Sequence, residues 1–156
     1  MPKAYILVGV PGSGKSTWIS KAPVDWANTV VASTDNYVER EAKRLGKTYS
    51  EVFNDVMPDA VNHMAKTVVD AVSNKQDIIW DQTSTTRHTR AKKLRMLPNN
   101  YETIAVVFPT PDKKELTRRL GSRPGKVIPD EVMTNMISKW EEPSVDEGFD
   151  KIIYVR

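Results

Sequence analysis

Gly9-Val10-Pro11-Gly12-Ser13-Gly14-Lys15-Ser16-Thr17 is the stretch on which the fold turns. Gly9, Gly14, Lys15 and Ser16 have the spacing of a phosphate-binding loop: glycine, four residues, glycine, lysine, then serine or threonine. Chemistry dictates that spacing. Glycines permit positive φ, so successive backbone N–H groups at Gly12, Ser13 and Gly14 can turn inward around a β-phosphate. A helix starting near Lys15 aims the positive end of its dipole at the same point. Lys15 is then placed to reach the β/γ oxygens, and the Ser16 hydroxyl to ligate Mg²⁺, with Thr17 beside it.

Working outward, Ala4–Val10 (AYILVGV) precedes the loop, and four further apolar runs recur: Asn28–Ala32, Asp77–Trp80, Thr103–Phe108 and Lys151–Val155. Each is short, rich in β-branched residues and continuous rather than alternating, as strands of a parallel sheet covered on both faces are. Helical stretches fall between them. Thr48-Tyr-Ser-Glu51 reads as a capping box. After it, Val52, Phe53, Val56, Ala60, Val61, Met64, Val68, Ala71 and Val72 keep a helical spacing to about Asn74. Pro58 is expected to kink that segment or divide it in two. Arg87–Leu97 and Asp112–Leu120 are shorter and basic. Pro129-Asp-Glu opens another helix, with Val132, Met133, Met136, Ile137 and Trp140 on one face, a stripe that reads as core packing. Strands alternating with helices predict a three-layer α/β fold around a central parallel sheet of about five strands, with residues 1–156 forming one domain.

Composition narrows the chemistry. At 156 residues, with 39% hydrophobic and 28% charged side chains, the chain can build a core without a staple. It has no cysteine, which excludes disulfides, a thiolate nucleophile, a zinc finger and an iron–sulfur cluster. His63 and His88 are the only imidazoles, too few for a histidine-rich metal site. No run of about 18 apolar residues occurs, and the N-terminus lacks the layout of a signal peptide. A soluble cytoplasmic protein with no membrane partner is expected. The net charge of +3 is uneven: Arg87 to Lys126 holds eleven Lys/Arg against three Asp/Glu, a balance of +8, and the remainder carries −5. Such a stretch is either a solvated face or a surface that meets polyanions.

A phosphate loop does not by itself name the reaction. Motor ATPases usually need more chain, and no guanine-specificity element is expected here. What remains is a small transferase that hands a γ-phosphoryl group to an acceptor. Asp35, in Ser33-Thr-Asp-Asn-Tyr37, follows the second strand and falls at the C-terminal edge of a doubly wound sheet, where ligands sit. A carboxylate there can accept the proton of an attacking hydroxyl; helix capping is its alternative use. Asp81 closes the third strand, placed to hold Mg²⁺ through water or orient a basic partner, with a plain turn residue as the alternative. Arg118, Arg119 and Arg123 fall in a segment whose Gly121, Pro124 and Gly125 predict a mobile loop. Arginines on such a loop suit a lid, over about residues 118–128, that neutralises charge on a transferring phosphoryl group.

Taken together, GVPGSGKSTW, STDNY, IIWDQTS and RRLGSRPGKVIP resemble, in order and spacing, the kinase domain of the bacteriophage-type polynucleotide 5′-hydroxyl kinase family and its small P-loop relatives. The resemblance covers nearly the whole chain, and Glu142–Phe149 looks like the ending of the same group. It implies a P-loop kinase fold with an Arg-bearing lid, ATP as phosphate donor, Mg²⁺, and the 5′-hydroxyl ends of DNA or RNA as acceptor. It also implies a phage-like protein, one that a phage encodes in a bacterial host.

Residue by residue, the resemblance implies nucleotide contacts from Gly9, Gly12, Ser13, Gly14, Lys15, Ser16, Thr17 and Arg123, and metal contacts from Ser16 and Asp81. Asp35 becomes the general base, with Lys15, Arg119 and Arg123 as the other catalytic groups. Asp35, Asp81, Thr83, Arg87 and Arg40 become acceptor contacts. Two departures lie on the acceptor side. An arginine that grips an acceptor phosphate in the phage enzyme is Val38 here, with Arg40 as its substitute, and the Asp-Thr-Asn motif appears as Asp81-Gln-Thr-Ser84. They keep open a different acceptor, such as a hydroxymethylated base in DNA, a nucleotide sugar or a small alcohol. A non-catalytic ATP-binding nucleic-acid module is a third reading. The Asp-x-Asp-x-Thr signature of the phage enzyme's phosphatase domain is absent.

Overall fold

Strand β1 (Lys3–Val8) is buried from Ala4 to Val8, because other strands flank it on both edges and helices cover both its faces. The computed structural model describes residues 1–156, and all five strands in it are parallel. In chain order the elements are β1, α1 (Lys15–Ser20), β2 (Thr29–Ser33), α2 (Asp35–Leu45), α3 (Tyr49–Ser73), β3 (Asp77–Asp81), α4 (Arg87–Arg95), β4 (Glu102–Val107), α5 (Lys113–Gly121), α6 (Asp130–Ser138) and β5 (Lys151–Tyr154). The sheet order is β2-β3-β1-β4-β5. Ile6 lies beside Trp80 and Ala105, and Ser33 beside Asp81, so the C-terminal ends of β1, β2 and β3 reach one edge.

Alternation along β1 builds the three layers. Ala4 and Ile6 pack with Trp80, Val68 and Ala71 under α3, whereas Tyr5 and Leu7 pack with Val106, Phe108 and Trp18 under α1. The capping box forms at the start of α3, with the Thr48 hydroxyl accepting from the Glu51 N–H and Glu51 accepting from the Thr48 N–H. Pro58 does not divide that helix, which runs undivided for 25 residues. Burial of Val52 before Pro58 and of Ala60, Val68 and Ala71 after it secures both halves against the loss of one backbone bond.

Two further expectations change. The α6 stripe is narrower than its spacing implies: Met133 is buried and Met136 and Trp140 pack beside it, but Val132 and Ile137 are exposed. Strand β5 is an edge strand, with Ile153 and Tyr154 largely exposed, so a continuous apolar run overstated its cover.

The connection from β3 to α4 is held from inside. Arg90 has no exposed surface, and its guanidinium meets Glu147 twice, Nε to Oε1 at 2.8 Å and Nη2 to Oε2 at 3.1 Å. Its Nη1 donates to the Ser84 carbonyl at 2.9 Å, where Ser84 takes a left-handed φ of 46°. One residue earlier, the Thr83 carbonyl accepts from the Gly9 N–H at 2.9 Å. The buried ion pair therefore fixes a turn that supports the start of the phosphate loop. Removing one partner strands a buried charge. Glu147→Ala should lower the unfolding free energy by about 3–5 kcal/mol in urea titration; a loss below about 1 kcal/mol, the scale of a surface pair, would show that Arg90 finds water instead.

Candidate active site

The phosphate loop leaves the C-terminal end of β1 and closes at Gly14, which caps α1 in a left-handed conformation, φ 107°. Gly12 is also left-handed, whereas Gly9 is not. What Gly9 requires is space: a Cβ there would lie 2.5 Å from Ser13 Oγ and 2.9 Å from Phe108 Cβ. Lys15 Nζ donates to the carbonyls of Gly9 and Val10, at 2.8 and 2.9 Å. Burial lowers its pKa to about 8, against the opposing pull of Asp81 and Asp35.

Those two carboxylates face the loop from the C-terminal ends of β3 and of the β2–α2 connection. Asp81 ends β3, half-buried, and burial holds its carboxyl above the usual range while the nearby Lys15 ammonium works the other way. Asp35 is the first residue of α2, and the capping alternative does not apply: Thr34 occupies the cap position, and the Asn36 N–H is taken by Ser33 Oγ. The Asp35 side chain is 48% exposed. Its Oδ1 accepts from the Tyr49 hydroxyl at 2.5 Å, and Lys126 Nζ stands 3.5 Å from Oδ2. Burial and the Asp35 hydrogen bond together push the Tyr49 phenol upward.

The arginines divide their tasks. Arg119, in the last turn of α5, donates Nη1 to the Gly12 carbonyl at 2.9 Å and Nε to Glu115 at 2.9 Å, which braces the phosphate loop. Hydrogen bonds from Arg118 and Arg119 lower the Glu115 pKa to about 2. Arg123 lies beyond α5, and its Nη1 is buried without a hydrogen-bond partner. The same guanidinium acts electrostatically on both Lys15 and Tyr49. A buried donor left open at that point fits an anionic ligand.

Other candidates lie elsewhere or act differently. Thr83 meets the loop through its backbone carbonyl, on Gly9. Arg87, at the start of α4, is tied to Ser144 and Asp146. Arg40 stacks over the Tyr37 ring, 5.3 Å from its centroid. Val38 is fully buried and packs against Ala42, Val52 and Ala60. Asn74-Lys75-Gln76-Asp77 carries the letters of a guanine-specificity motif, contrary to expectation, but it leads into β3 at the opposite edge of the sheet from the loop. Nor does the +8 segment form one open basic face: Arg90 and Lys93 are buried, and Arg87, Arg118, Arg119 and Lys126 are each paired with acids. Ser16 and Asp81 offer hydroxyl and carboxylate oxygens, hard donors that suit Mg²⁺. No group of three or more His, Cys, Asp or Glu converges as a metal cage.

Sequence reasoning passed over Tyr49, Glu39 and Glu115, and gave Lys126 no role of its own. Tyr49 lies 14 residues from Asp35, and Lys126 lies 91 residues away, separations that no local pattern signals.

A parallel sheet in the order 2-3-1-4-5, with a glycine loop leaving its central strand, is the P-loop kinase fold. The chain belongs to the AAA domain family, whose model matches residues 5–143. Among solved structures it resembles a chain of the Pnkp1/Rnl/Hen1 RNA repair complex, with 23% identity and a TM-score of 0.67 over 88% of this chain and 43% of that one. It also resembles a fungal RNA kinase, with 17% identity and a TM-score of 0.57 over 100% of this chain and 76% of that one. A gluconokinase from Sinorhizobium meliloti 1021 matches with 17% identity and a TM-score of 0.57, over 99% and 82% of the two chains. The chain thus spans less than half the length of the RNA-repair chain it matches. No helix is long and apolar enough to cross a membrane.

Because burial lowers Lys15, its charge in the nucleotide-free protein is lost as the pH rises through about 8. Phosphates beside it favour the charged form. ATP binding at about pH 8 should therefore take up a fraction of a proton, read from calorimetry in buffers of different ionisation enthalpy. Zero uptake would mean that Lys15 is fully charged before the nucleotide arrives.

Proposed function

We propose that the protein is an ATP- and Mg²⁺-dependent kinase that phosphorylates the 5′-hydroxyl of DNA or RNA ends, as the bacteriophage-type polynucleotide kinases do. The observation that carries this reading is the placement of Asp35. Its half-exposed carboxylate stands at the end of β2, within electrostatic reach of Lys15 on the phosphate loop. The buried, unpartnered Arg123 Nη1 adds the donor that a transferring phosphoryl group needs. Likeness to an RNA repair chain and an RNA kinase supports the nucleic-acid acceptor.

In this scheme the loop N–H groups of Gly12 to Thr17 and the Lys15 ammonium hold the β- and γ-phosphates. Ser16 and Asp81 would hold Mg²⁺, which when bound supplies charge neutralisation on the phosphate oxygens. Asp35 accepts the proton of the acceptor hydroxyl as its oxygen bonds to the γ-phosphorus. The bond from that phosphorus to the bridging β,γ oxygen breaks, and ADP leaves. Residues 118–128 act as the lid: Arg119 steadies the loop through Gly12, and Arg123 meets the negative charge of the phosphoryl group in transfer. The unit working in this way spans residues 1–156.

A small alcohol is the second reading, favoured by the likeness to a gluconokinase and by the burial of Val38, which leaves no cation at that position. The test supplies γ-labelled ATP and Mg²⁺ with 5′-hydroxyl DNA, 5′-hydroxyl RNA, duplex DNA carrying hydroxymethylated bases, and gluconate. Label should appear on the 5′ ends of one or both oligonucleotides. Label on gluconate alone would move the protein to the second reading, and label on the modified bases alone would overturn both.

A further inference from the structure

One lysine ties the lid to the acceptor side. Lys126 Nζ lies 2.8 Å from Glu39 Oε1 and 3.5 Å from Asp35 Oδ2, and 4.5 Å above the centroid of the Tyr49 ring. Only 12% of its side chain is exposed. The backbone reinforces the contact: the Ser50 N–H donates to the Gly125 carbonyl at 3.2 Å, and the Val127 N–H to Ser50 Oγ at 3.0 Å. Gly125 is left-handed at φ 68°, and a Cβ there would lie 2.9 Å from Thr48 Cβ, so the approach of lid to helix depends on glycine. Beside Lys126 opens a cleft of about 480 Å³, whose walls include Glu39, Lys43, Lys47, Thr48 and Tyr49.

This arrangement sets a condition on the acceptor. Tyr49 donates to one oxygen of Asp35, and Lys126 stands against the other. A hydroxyl that is to give its proton to Oδ2 must first draw Lys126 aside. A neutral alcohol offers that ammonium nothing in exchange, and a largely buried ammonium separated from its acids is costly. A phosphate next to the acceptor hydroxyl offers an equivalent anion, in a cleft whose Lys43 and Lys47 add positive charge. Resting on the kinase reading above, we propose that Lys126 is the ligand for the phosphate adjacent to the acceptor hydroxyl. By exchanging Asp35 and Glu39 for that phosphate it exposes the base only to alcohols that carry one. The proton then passes from the hydroxyl to Asp35 Oδ2 as the oxygen–phosphorus bond forms and ADP departs. Arg123 and Lys126 share one segment, so the donor and acceptor phosphates are held by the same closure.

The test compares two short 5′-hydroxyl strands that differ only in the first linkage, a phosphodiester in one and an uncharged methylphosphonate in the other. Wild-type protein should favour the phosphodiester in kcat/KM by about tenfold or more, the worth of one charge-assisted hydrogen bond. In Lys126→Met, checked for an unchanged melting temperature and ATP affinity, that ratio should fall to within about twofold, chiefly through a higher KM for the phosphodiester strand. Lys126→Arg should restore most of the preference. An undiminished ratio in Lys126→Met would overturn the assignment of Lys126 while leaving the kinase reading intact. Equal kcat/KM for the two strands in wild-type protein would overturn it without recourse to any variant. Transfer to neither strand would overturn the kinase reading and this inference with it.

Discussion

The close passage of Gly9 beneath Phe108, with its N–H on the Thr83 carbonyl, draws the ends of β1, β3 and β4 together at one point. A side chain at position 9 would collide with both Ser13 and Phe108, so the loop could not fold back over the strand that delivers it. The parallel sheet makes that contact useful. With all five strands running one way, the loop after β1, Asp35 after β2 and Asp81 on β3 share one edge. Support comes from beneath through the buried Arg90–Glu147 pair, which pins the Ser84 carbonyl next to Thr83. It comes from above through Arg119, which holds the Gly12 carbonyl.

Charge is organised around that edge rather than along a surface. Lys15 donates to two backbone carbonyls, and its partial burial lowers its proton affinity against the opposing pull of Asp81 and Asp35. Arg119 is bound to Glu115 and the loop, whereas Arg123 keeps a buried donor open. Lys126 is shared among Asp35, Glu39 and the face of Tyr49. The segment from α5 to α6 thus touches the phosphate loop through Arg119 and Asp35 through Lys126, so a movement of that segment would act on both.

How much of this the sequence discloses depends on the range of each interaction. The inner strands are legible because burial on both faces leaves continuous β-branched runs, β5 because its apolar run looks the same although its edge is exposed, and the phosphate loop because its spacing is local. The capping box at Thr48 and Glu51 is equally local. Pro58 misleads because packing on either side outweighs one missing hydrogen bond. The stripe on α6 misleads because helical spacing does not say how wide the covered face is. Asp35, Asp81 and Arg123 are legible as candidates, but the partners that define their chemistry are not. Tyr49, Lys126 and the Thr83 carbonyl meet the site only through the fold. The +8 segment shows the same limit, since six of its eleven arginines and lysines are buried or paired with acids, which charge counting does not see.

Everything in the proposed chemistry converges on whether the Asp35 carboxylate takes the acceptor proton. The direct measurement is single-turnover transfer from ATP to a 5′-hydroxyl strand by Asp35→Asn, with ATP affinity determined on the same protein. The amide keeps the size of the side chain and can still accept from Tyr49, but it cannot take up the proton. Transfer should fall by about 10²–10⁴-fold while ATP affinity is retained. Transfer at near the wild-type rate would contradict the account and return Asp35 to a structural partner of Tyr49 and Lys126.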